Sequence, residues 1–147
     1  MSEAYDSRAD TEAHIAKVQA RMDECVALLI ARAVMHDASK RDDAERPGYD
    51  ALFQALADGL SMAEARTHPL IDAAIVHHLA TNDHHPEYHA RGIAGMSLLS
   101  LLEMACDWKA ASERSGKTFN LGAQIERFGI EPQLAAILEN TVKELNW

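Results

Sequence analysis

Apolar residues recur at intervals of three and four positions along most of the chain, which is the spacing of one face of an α-helix. Stretches in which β-branched residues alternate with polar ones, the pattern typical of strands, are absent. Only 7 glycines and 4 prolines interrupt the helical pattern. The pattern therefore predicts an all-α fold, a compact bundle of about six or seven helices.

The first predicted helix begins at Asp10 or Thr11, and later helices have clear boundary signals. Pro47-Gly48 indicates a turn, Ser61 with Glu64 matches a capping box, and Pro69 suits the first turn of a helix. After the first helix, the pattern predicts helices over residues 49–56, a short piece after 61, 69–80, 96–112, 121–128 and 131–145, with a polar loop at 81–95.

The length of 147 residues predicts one domain over residues 1–147, with a flexible N-terminus at residues 1–10. There are 23 acidic and 14 basic residues, and the net charge of −9 argues against a general nucleic-acid binder. No apolar run approaches the roughly 18 residues of a membrane span. Cys25 and Cys106 are isolated thiols, which favours a reducing compartment, the cytoplasm. A homo-oligomer is compatible with all of these features.

Histidine is in excess: the chain has 8, and five of them lie between His77 and His89. His77-His78 and His84-His85 form two pairs that are seven residues apart, about two helical turns. Neutral imidazoles are good metal ligands, so one histidine of each pair could bind a metal ion while the other packs or orients. The sequence leaves open which member of each pair binds.

Further residues of metal-binding type lie on either side of these pairs. His36 and Asp37 end an apolar helical run. Asp107 lies on the most apolar predicted helix, where an unpaired carboxylate would be costly, whereas Glu103 on the same face also fits an exposed position. Imidazole and carboxylate together suit a divalent ion such as Mn, Fe, Co, Ni or Zn.

His14 lies on the apolar stripe of the first helix, where a packed or surface histidine is the ordinary interpretation. A straight helix would separate His14 from His36 by about 33 Å. The two can share a metal site only if the chain turns back between them. Residues 22–24 are the most plausible place for that turn, because Asp23 could cap a new helix there.

In chain order, these residues resemble the ligand pattern of the HD-domain superfamily of metal-dependent phosphohydrolases. The similarity is closer still to an uncharacterised phage and bacterial branch of that superfamily, and it covers nearly the whole chain. Ser100 and Arg41 depart from the branch, which has an acidic and an apolar residue there, but neither is a candidate ligand. The matching stretches are HDASK, Glu45, HH at 77–78, residues 82–87, 92–99 and 103–111, Arg127-Phe128 and Asn140-Thr141.

The resemblance implies an enzyme that hydrolyses a nucleotide or another small phosphorylated metabolite, through water activated by one or two divalent transition-metal ions. Lys40 would reach the substrate phosphate, although it also fits an exposed helix end. The implied ligands of the first ion are His14, His36, Asp37 and Asp107, and those of the second are one histidine from each pair. Polar residues in or just after the matched motifs that could touch the substrate, or equally lie in solvent, are Asn82, Lys109 and Arg114.

Two other functions fit the same residues. Some HD-domain proteins use a mixed-valence di-iron site to cleave C–C or C–P bonds with dioxygen, and the same His and Asp ligands would serve that chemistry. The other alternative is a non-catalytic module that its metal stabilises. Two irons with an oxygen-dependent optical change would favour the oxygenase, whereas tightly bound metal without phosphate turnover would favour the module.

Overall fold

The computed structural model describes residues 5–147, and all regular elements in that part of the chain are helical. No helix among these residues combines the length and the apolar character needed to cross a bilayer. The prediction of an all-α fold with six or seven helices is confirmed. The seven α-helices are α1 (Arg8–Met35), α2 (Arg46–Ala57), α3 (Met62–Ala65), α4 (Pro69–Thr81), α5 (Leu98–Arg114), α6 (Leu121–Phe128) and α7 (Pro132–Glu144), with short 3₁₀ turns at Ala38–Arg41, Pro86–Tyr88 and Gly92–Gly95.

Contacts divide the chain into two units, of which the first ends at His36 and the second covers Asp37–Trp147. The first unit is built on α1, a single helix of 28 residues. The predicted turn at residues 22–24 is wrong, because the helix continues through them. No glycine or proline lies within α1 to interrupt its hydrogen bonds, so the favourable propagation of a started helix outweighs the local capping tendency of Asp23.

The start of α1 also differs from the expected one. The helix begins at Arg8, so the predicted caps at Asp10 and Thr11 are wrong. Residues 8–10 are helical, which corrects the expectation of a flexible segment there. The segment that was expected to be flexible also includes residues 1–4, which lie outside the described residues.

Two apolar clusters stabilise the second unit, and each one fixes a helix that carries candidate ligands. The first lies where α2, α3 and α4 meet, and it fixes α4 with its histidine pair. The second joins α5 to α7 and fixes α5, which carries Glu103 and Asp107. The buried side chains are Leu52, Ala65 and Ile71 in the first cluster and Ala105, Ile130 and Leu138 in the second.

Helix boundaries in the second unit largely follow their sequence signals. The capping box is confirmed: the Ser61 side chain accepts from the Glu64 N–H, and the Glu64 carboxylate accepts from the Ser61 N–H at 2.8 Å. Pro69 opens α4 as predicted. Pro47 lies in the first turn of α2 rather than in a turn before it, because the fixed φ of proline suits that position.

Gly48 allows α2 to approach α4 closely. A Cβ on this residue would lie 2.4 Å from the Cβ of Ala74 and 2.6 Å from the carbonyl oxygen of Leu70. Both distances are too short for real contacts, so only glycine fits without a shift of backbone. The close approach brings Glu45, just before α2, to the turn of α4 that carries His77 and His78.

We expect Gly48→Ala to destabilise the protein by about 1–3 kcal/mol, because the new methyl group overpacks the contact between the two helices. Urea unfolding measures this change. Gly122→Ala in α6 is the matched control, since its Cβ meets only the Asn120 side chain at an ordinary distance of 3.4 Å. There, the higher helix propensity of alanine should stabilise by up to about 1 kcal/mol. Equal effects at the two glycines would contradict the role of Gly48.

Candidate metal centre

Four side chains of the second unit turn their ligand atoms towards one another. Asp37, His78, His84 and His85 each offer one atom, and all four atoms lie within 4.8 Å of one another. The Oδ1 of Asp37 is 3.1 Å from His78 Nε2 and 3.6 Å from His84 Nε2. The Nε2 atoms of His85 and His78 are 3.1 Å apart. These four residues are referred to below as the ligand cluster.

Asp37 takes its place through an uncommon backbone conformation. Its φ of 54° lies in the left-handed region, which few residues other than glycine occupy and which Asp and Asn tolerate best. While Oδ1 faces the histidines, Oδ2 accepts a hydrogen bond from the ammonium of Lys40 in the following 3₁₀ turn. Lys40, the predicted phosphate-binding residue, therefore lies directly beside the ligand cluster.

Hydrogen bonding fixes which nitrogen of His78 faces the cluster. The side chain is buried in α4, and its Nδ1–H donates to Oε2 of Glu45 at 2.9 Å. The lone pair is therefore on Nε2, the atom nearest to Asp37. Metal-binding histidines almost always have such a partner behind the ring. The contact with Glu45 thus prepares His78 to bind a metal through Nε2.

Glu45 is 0% exposed, and three donors meet its carboxylate. His77 donates to Oε1 at 2.8 Å, while His78 and the Ser39 hydroxyl, at 3.0 Å, both donate to Oε2. Burial alone would raise the pKa of Glu45, but the hydrogen bonds from His77, Ser39 and His78 outweigh it and hold the pKa below its usual value. Glu45 is therefore an ionised carboxylate within the fold.

Asn82 extends this network from the end of α4. Its Nδ2 donates to Ser39 Oγ at 3.0 Å and to the carbonyl oxygen of His78 at 2.9 Å. Ser39 in turn donates to Glu45. The amide nitrogen of Asn82 thus holds together the residues behind His78, and its predicted substrate contact stays a prediction.

His84 and His85 reach the cluster from the non-helical segment that follows α4. His84 is buried, and its Nδ1 lies 3.3 Å from Oε1 of Glu103 on α5, so a second imidazole has a carboxylate behind it. Burial, together with the neighbouring imidazoles of His84 and His78, lowers the pKa of His85 to about 4. His85 is therefore neutral near pH 7, as metal binding requires.

The spacing of these atoms fits one divalent transition-metal ion. Two ligands at about 2.1 Å from an ion lie about 3.0 Å apart in octahedral geometry and about 3.4 Å apart in tetrahedral geometry. The separations of 3.1 Å and 3.6 Å in the cluster are close to these values. Three imidazoles and one carboxylate match Zn, Fe, Co, Ni or Mn, whereas Ca and Mg prefer oxygen ligands. The residues present therefore fit the predicted class of metal.

Asp107 lies beside the cluster on α5. One of its carboxylate oxygens is within 4.8 Å of a carboxylate oxygen of Asp37. Glu103, one turn earlier, contacts His84. The helix thus presents one carboxylate next to Asp37 and another behind an imidazole, and the predicted ligands Asp37 and Asp107 are neighbours.

The other predicted ligands are placed differently. His14 is an exposed residue of α1, about 33 Å from His36 along one continuous helix, so a metal site shared by His14 and His36 of one chain is wrong. His36 ends α1 and is joined by its peptide bond to Asp37. The side chain of His77 is 48% exposed and bonds to Glu45, so His78 is the member of that pair that faces the cluster.

Two of the predicted substrate-binding cations contact other side chains. Lys109 Nζ lies 3.1 Å from a Glu113 oxygen, and the Arg114 guanidinium lies over the ring of Phe53. The cavity that adjoins the ligand cluster is lined instead by Lys117 and Arg127 among the described cations. The structure thus adds two cations that the sequence-based prediction did not include, while the substrate contacts of Lys109 and Arg114 stay predictions.

The sequence pattern does not reveal the role of Glu45. It lies in a charged stretch, residues 41–46, where glutamate is ordinarily solvated. Apart from the place of Glu45 among the stretches that carry the family resemblance, the available signal is the adjacent pair His77-His78, since two imidazoles at a helix end need an acceptor. That signal does not specify which segment supplies the acceptor, because the partner is 32 residues away from His77 along the chain.

Glu45→Gln should weaken metal binding by about 10- to 100-fold, as expected when the carboxylate behind a ligand is lost. The side-chain amide of glutamine has only one oxygen, so its N–H group would also face one of the two imidazole N–H groups, and two donors cannot form a hydrogen bond. Competition with a chromogenic chelator measures the affinity. His77→Gln is the control, because it removes the other imidazole from the same carboxylate and should bind metal like the wild type. Unchanged affinity in Glu45→Gln would contradict the preparation of His78 by Glu45.

Comparison with known proteins gives a family but no described relative. No curated protein matches the chain, and no solved structure matches it. One family model matches residues 3–144, which is nearly the whole length, and its description is a family of unknown function, DUF5662. The ligand cluster lies entirely within the matched residues. The chain therefore belongs to the DUF5662 family.

Proposed function

We propose that this protein is a metal-dependent phosphohydrolase whose metal centre is the ligand cluster. The proposal is carried by the convergence of one carboxylate and three imidazoles, two of which have a carboxylate behind them. Polar groups of this kind are costly to bring together away from water unless they have a partner in common, and a metal ion is such a partner. The resemblance to the HD-domain superfamily points to a small phosphorylated substrate, with nucleotides as the first class to test.

A divalent ion bound here would supply a Lewis acid and a bound water with a lowered pKa. Asp37, His78, His84 and His85 would hold it, while Glu45 and Glu103 keep two of the imidazoles in their binding orientation. Asp107 lies beside Asp37 within the second unit, so it is the candidate to extend the centre to a second ion. The proposal thus includes one or two ions.

Lys40 provides positive charge at the edge of the centre. Its ammonium contacts Oδ2 of Asp37 and lies 4.8 Å from the centre of the Tyr49 ring. A fixed cation in this position stabilises the negative charge of a phosphate and the charge that develops as the ester bond breaks. The proposed role of Lys40 is therefore to bind the phosphate, with Asp37 orienting its side chain.

The donor set also favours a second candidate function. Histidines with a carboxylate are the usual ligands of non-haem iron that reacts with oxygen. A di-iron oxygenase would use the same residues, and a non-catalytic metal module would need no substrate at all. The experiments below distinguish the three functions by metal content, phosphate release and oxygen-dependent absorbance.

Removal of metal by a chelator should lower the melting temperature. An ion at 100 times its dissociation constant stabilises the native state by about 2.7 kcal/mol, or roughly 5–10 °C for a chain of this length. Asp37→Asn keeps the left-handed backbone preference but loses the charged ligand, so its melting temperature should not respond to the chelator. Asp43→Asn is the control, because it makes the same change on a side chain that is 96% exposed. A chelator-independent melting curve for the wild type would contradict the metal centre.

Lys40→Met should retain its metal and lower phosphate release from nucleotides and simple phosphoesters by about 10²-fold, since one stabilising charge is lost. Metal analysis and phosphate assays with Mn, Fe, Co, Ni or Zn measure both quantities. Lys143→Met, which removes an exposed cation of α7, should keep wild-type activity. Loss of metal in Lys40→Met would instead show that Lys40 acts by holding the Asp37 side chain in place for metal binding. An oxygen-dependent absorbance of two irons, without phosphate release, would favour the oxygenase, and bound metal with neither activity would favour the module.

A further inference from the structure

A cavity of about 430 Å³ adjoins the ligand cluster within the second unit. His85 and Asp107 line it, and most of its other walls come from α5, α6 and the segment between them, with Leu79 of α4 and Glu87 completing the lining. Small-molecule sites have volumes of roughly 300–1,000 Å³, so the cavity is large enough for a substrate of metabolite size. Because His85 also belongs to the ligand cluster, a molecule in the cavity would lie next to the metal centre.

The cavity has a broad aromatic wall. Trp108 and Phe128 are stacked, with ring centroids 5.4 Å apart and an angle of 16° between the ring planes. Both residues line the cavity, as does Phe119. Both also pack against the buried cluster formed by Ala105, Ile130 and Leu138, so this wall is firmly held. Such a wall favours a flat ring, because aromatic faces attract one another in stacked arrangements.

Gln124 adds a polar group that lacks a partner. Its Oε1 is buried and receives no hydrogen bond from any residue in the described part of the chain. Gln124 lines the cavity. Buried amide oxygens are nearly always bonded, so an unsatisfied one needs an explanation. A ligand N–H that enters the cavity would satisfy it.

Positive charge also lies on the cavity wall. Lys117 and Arg127 line it, although the chain as a whole carries a net charge of −9. The guanidinium of Arg127 lies over the Phe128 ring at 4.8 Å from its centre. These two cations balance the carboxylates of Glu87 and Asp107, which line the same cavity, so the lining has no excess negative charge to repel an anionic molecule.

We propose that this cavity binds the organic part of the substrate, a flat heteroaromatic ring with an N–H donor at its edge, and that Gln124 selects that ring through its amide oxygen. This inference rests on the proposed function for the position of the phosphate at the metal centre. The aromatic wall would support the face of the ring and Gln124 would accept from its edge. A ring without the donor leaves the amide oxygen unpaired, which is how a polar site rejects such analogues.

Ring binding can be measured without any reaction. Trp147→Phe leaves Trp108 as the only tryptophan of the chain, so its fluorescence reports on the cavity. The probes are adenosine and guanosine, which carry N–H donors and no phosphate, purine riboside, which lacks the exocyclic amine, and ribose 5-phosphate, which lacks a ring. We expect saturable quenching by the donor-bearing nucleosides, about tenfold weaker binding of purine riboside than of adenosine, and no quenching by ribose 5-phosphate.

Variants of Gln124 test its role in the same background. Gln124→Leu should weaken adenosine binding about tenfold, the size of one neutral hydrogen bond, while metal affinity and melting temperature are not reduced. Gln124→Glu retains the accepting oxygen and should restore the binding of adenosine. Gln133→Leu, a change of the same kind on an exposed residue of α7, should leave adenosine binding unchanged.

The outcomes separate this inference from the proposed function. Saturable nucleoside binding that depends on Gln124, with no phosphate release from any nucleotide, would support the cavity and count against the hydrolase. Equal binding of adenosine to wild type and Gln124→Leu would overturn the role of Gln124. The absence of saturable quenching by every nucleoside would overturn the ring-binding cavity, even if phosphoesters without a ring were hydrolysed.

Discussion

A fully buried carboxylate is the constraint on which the arrangement of the centre depends. Glu45 is inaccessible to solvent, and a charge in that position is stable only if each oxygen has a hydrogen-bond donor. His77, His78 and Ser39 provide those donors from two separate segments. The carboxylate therefore ties the residues that follow Asp37 to the end of α4. By taking up the Nδ1–H of His78, it also leaves the opposite nitrogen free for the cluster.

The same arrangement occurs at His84 with Glu103 from α5. Two of the three imidazoles are thus oriented by carboxylates from other segments of the chain, Glu45 just before α2 and Glu103 on α5. Orientation before binding reduces the entropy lost when a ligand binds, so the fold itself contributes to the affinity of the centre. It follows that residues outside the cluster contribute, together with its four members, to the metal affinity of the proposed centre.

The sequence predicts the helices and most of the ligand types because these features are local. Spacing, the Ser61–Glu64 capping box and Pro69 depend on near neighbours, and the structure agrees with them. Local signals do not predict long-range contacts. Glu45 contacts His77 and His78 only because α2 packs on α4, and the same packing determines that His78, rather than His77, faces the ligand cluster. The predicted turn in α1 failed for the opposite reason, because a capping residue was given more weight than an uninterrupted run of helix-compatible residues.

The left-handed backbone at Asp37 has a consequence for how this centre changes in evolution. Few residues tolerate a φ of 54°, and the best tolerated are Gly, Asn and Asp. A codon for Asp can become one for Asn or Gly by a single base change, and either product suits the backbone while removing the charged ligand. Purifying selection for folding would therefore not eliminate such variants; only selection for the metal would. Under the proposed function, loss of the centre by drift is therefore an accessible route within this fold, and position 37 is the first residue to compare among relatives.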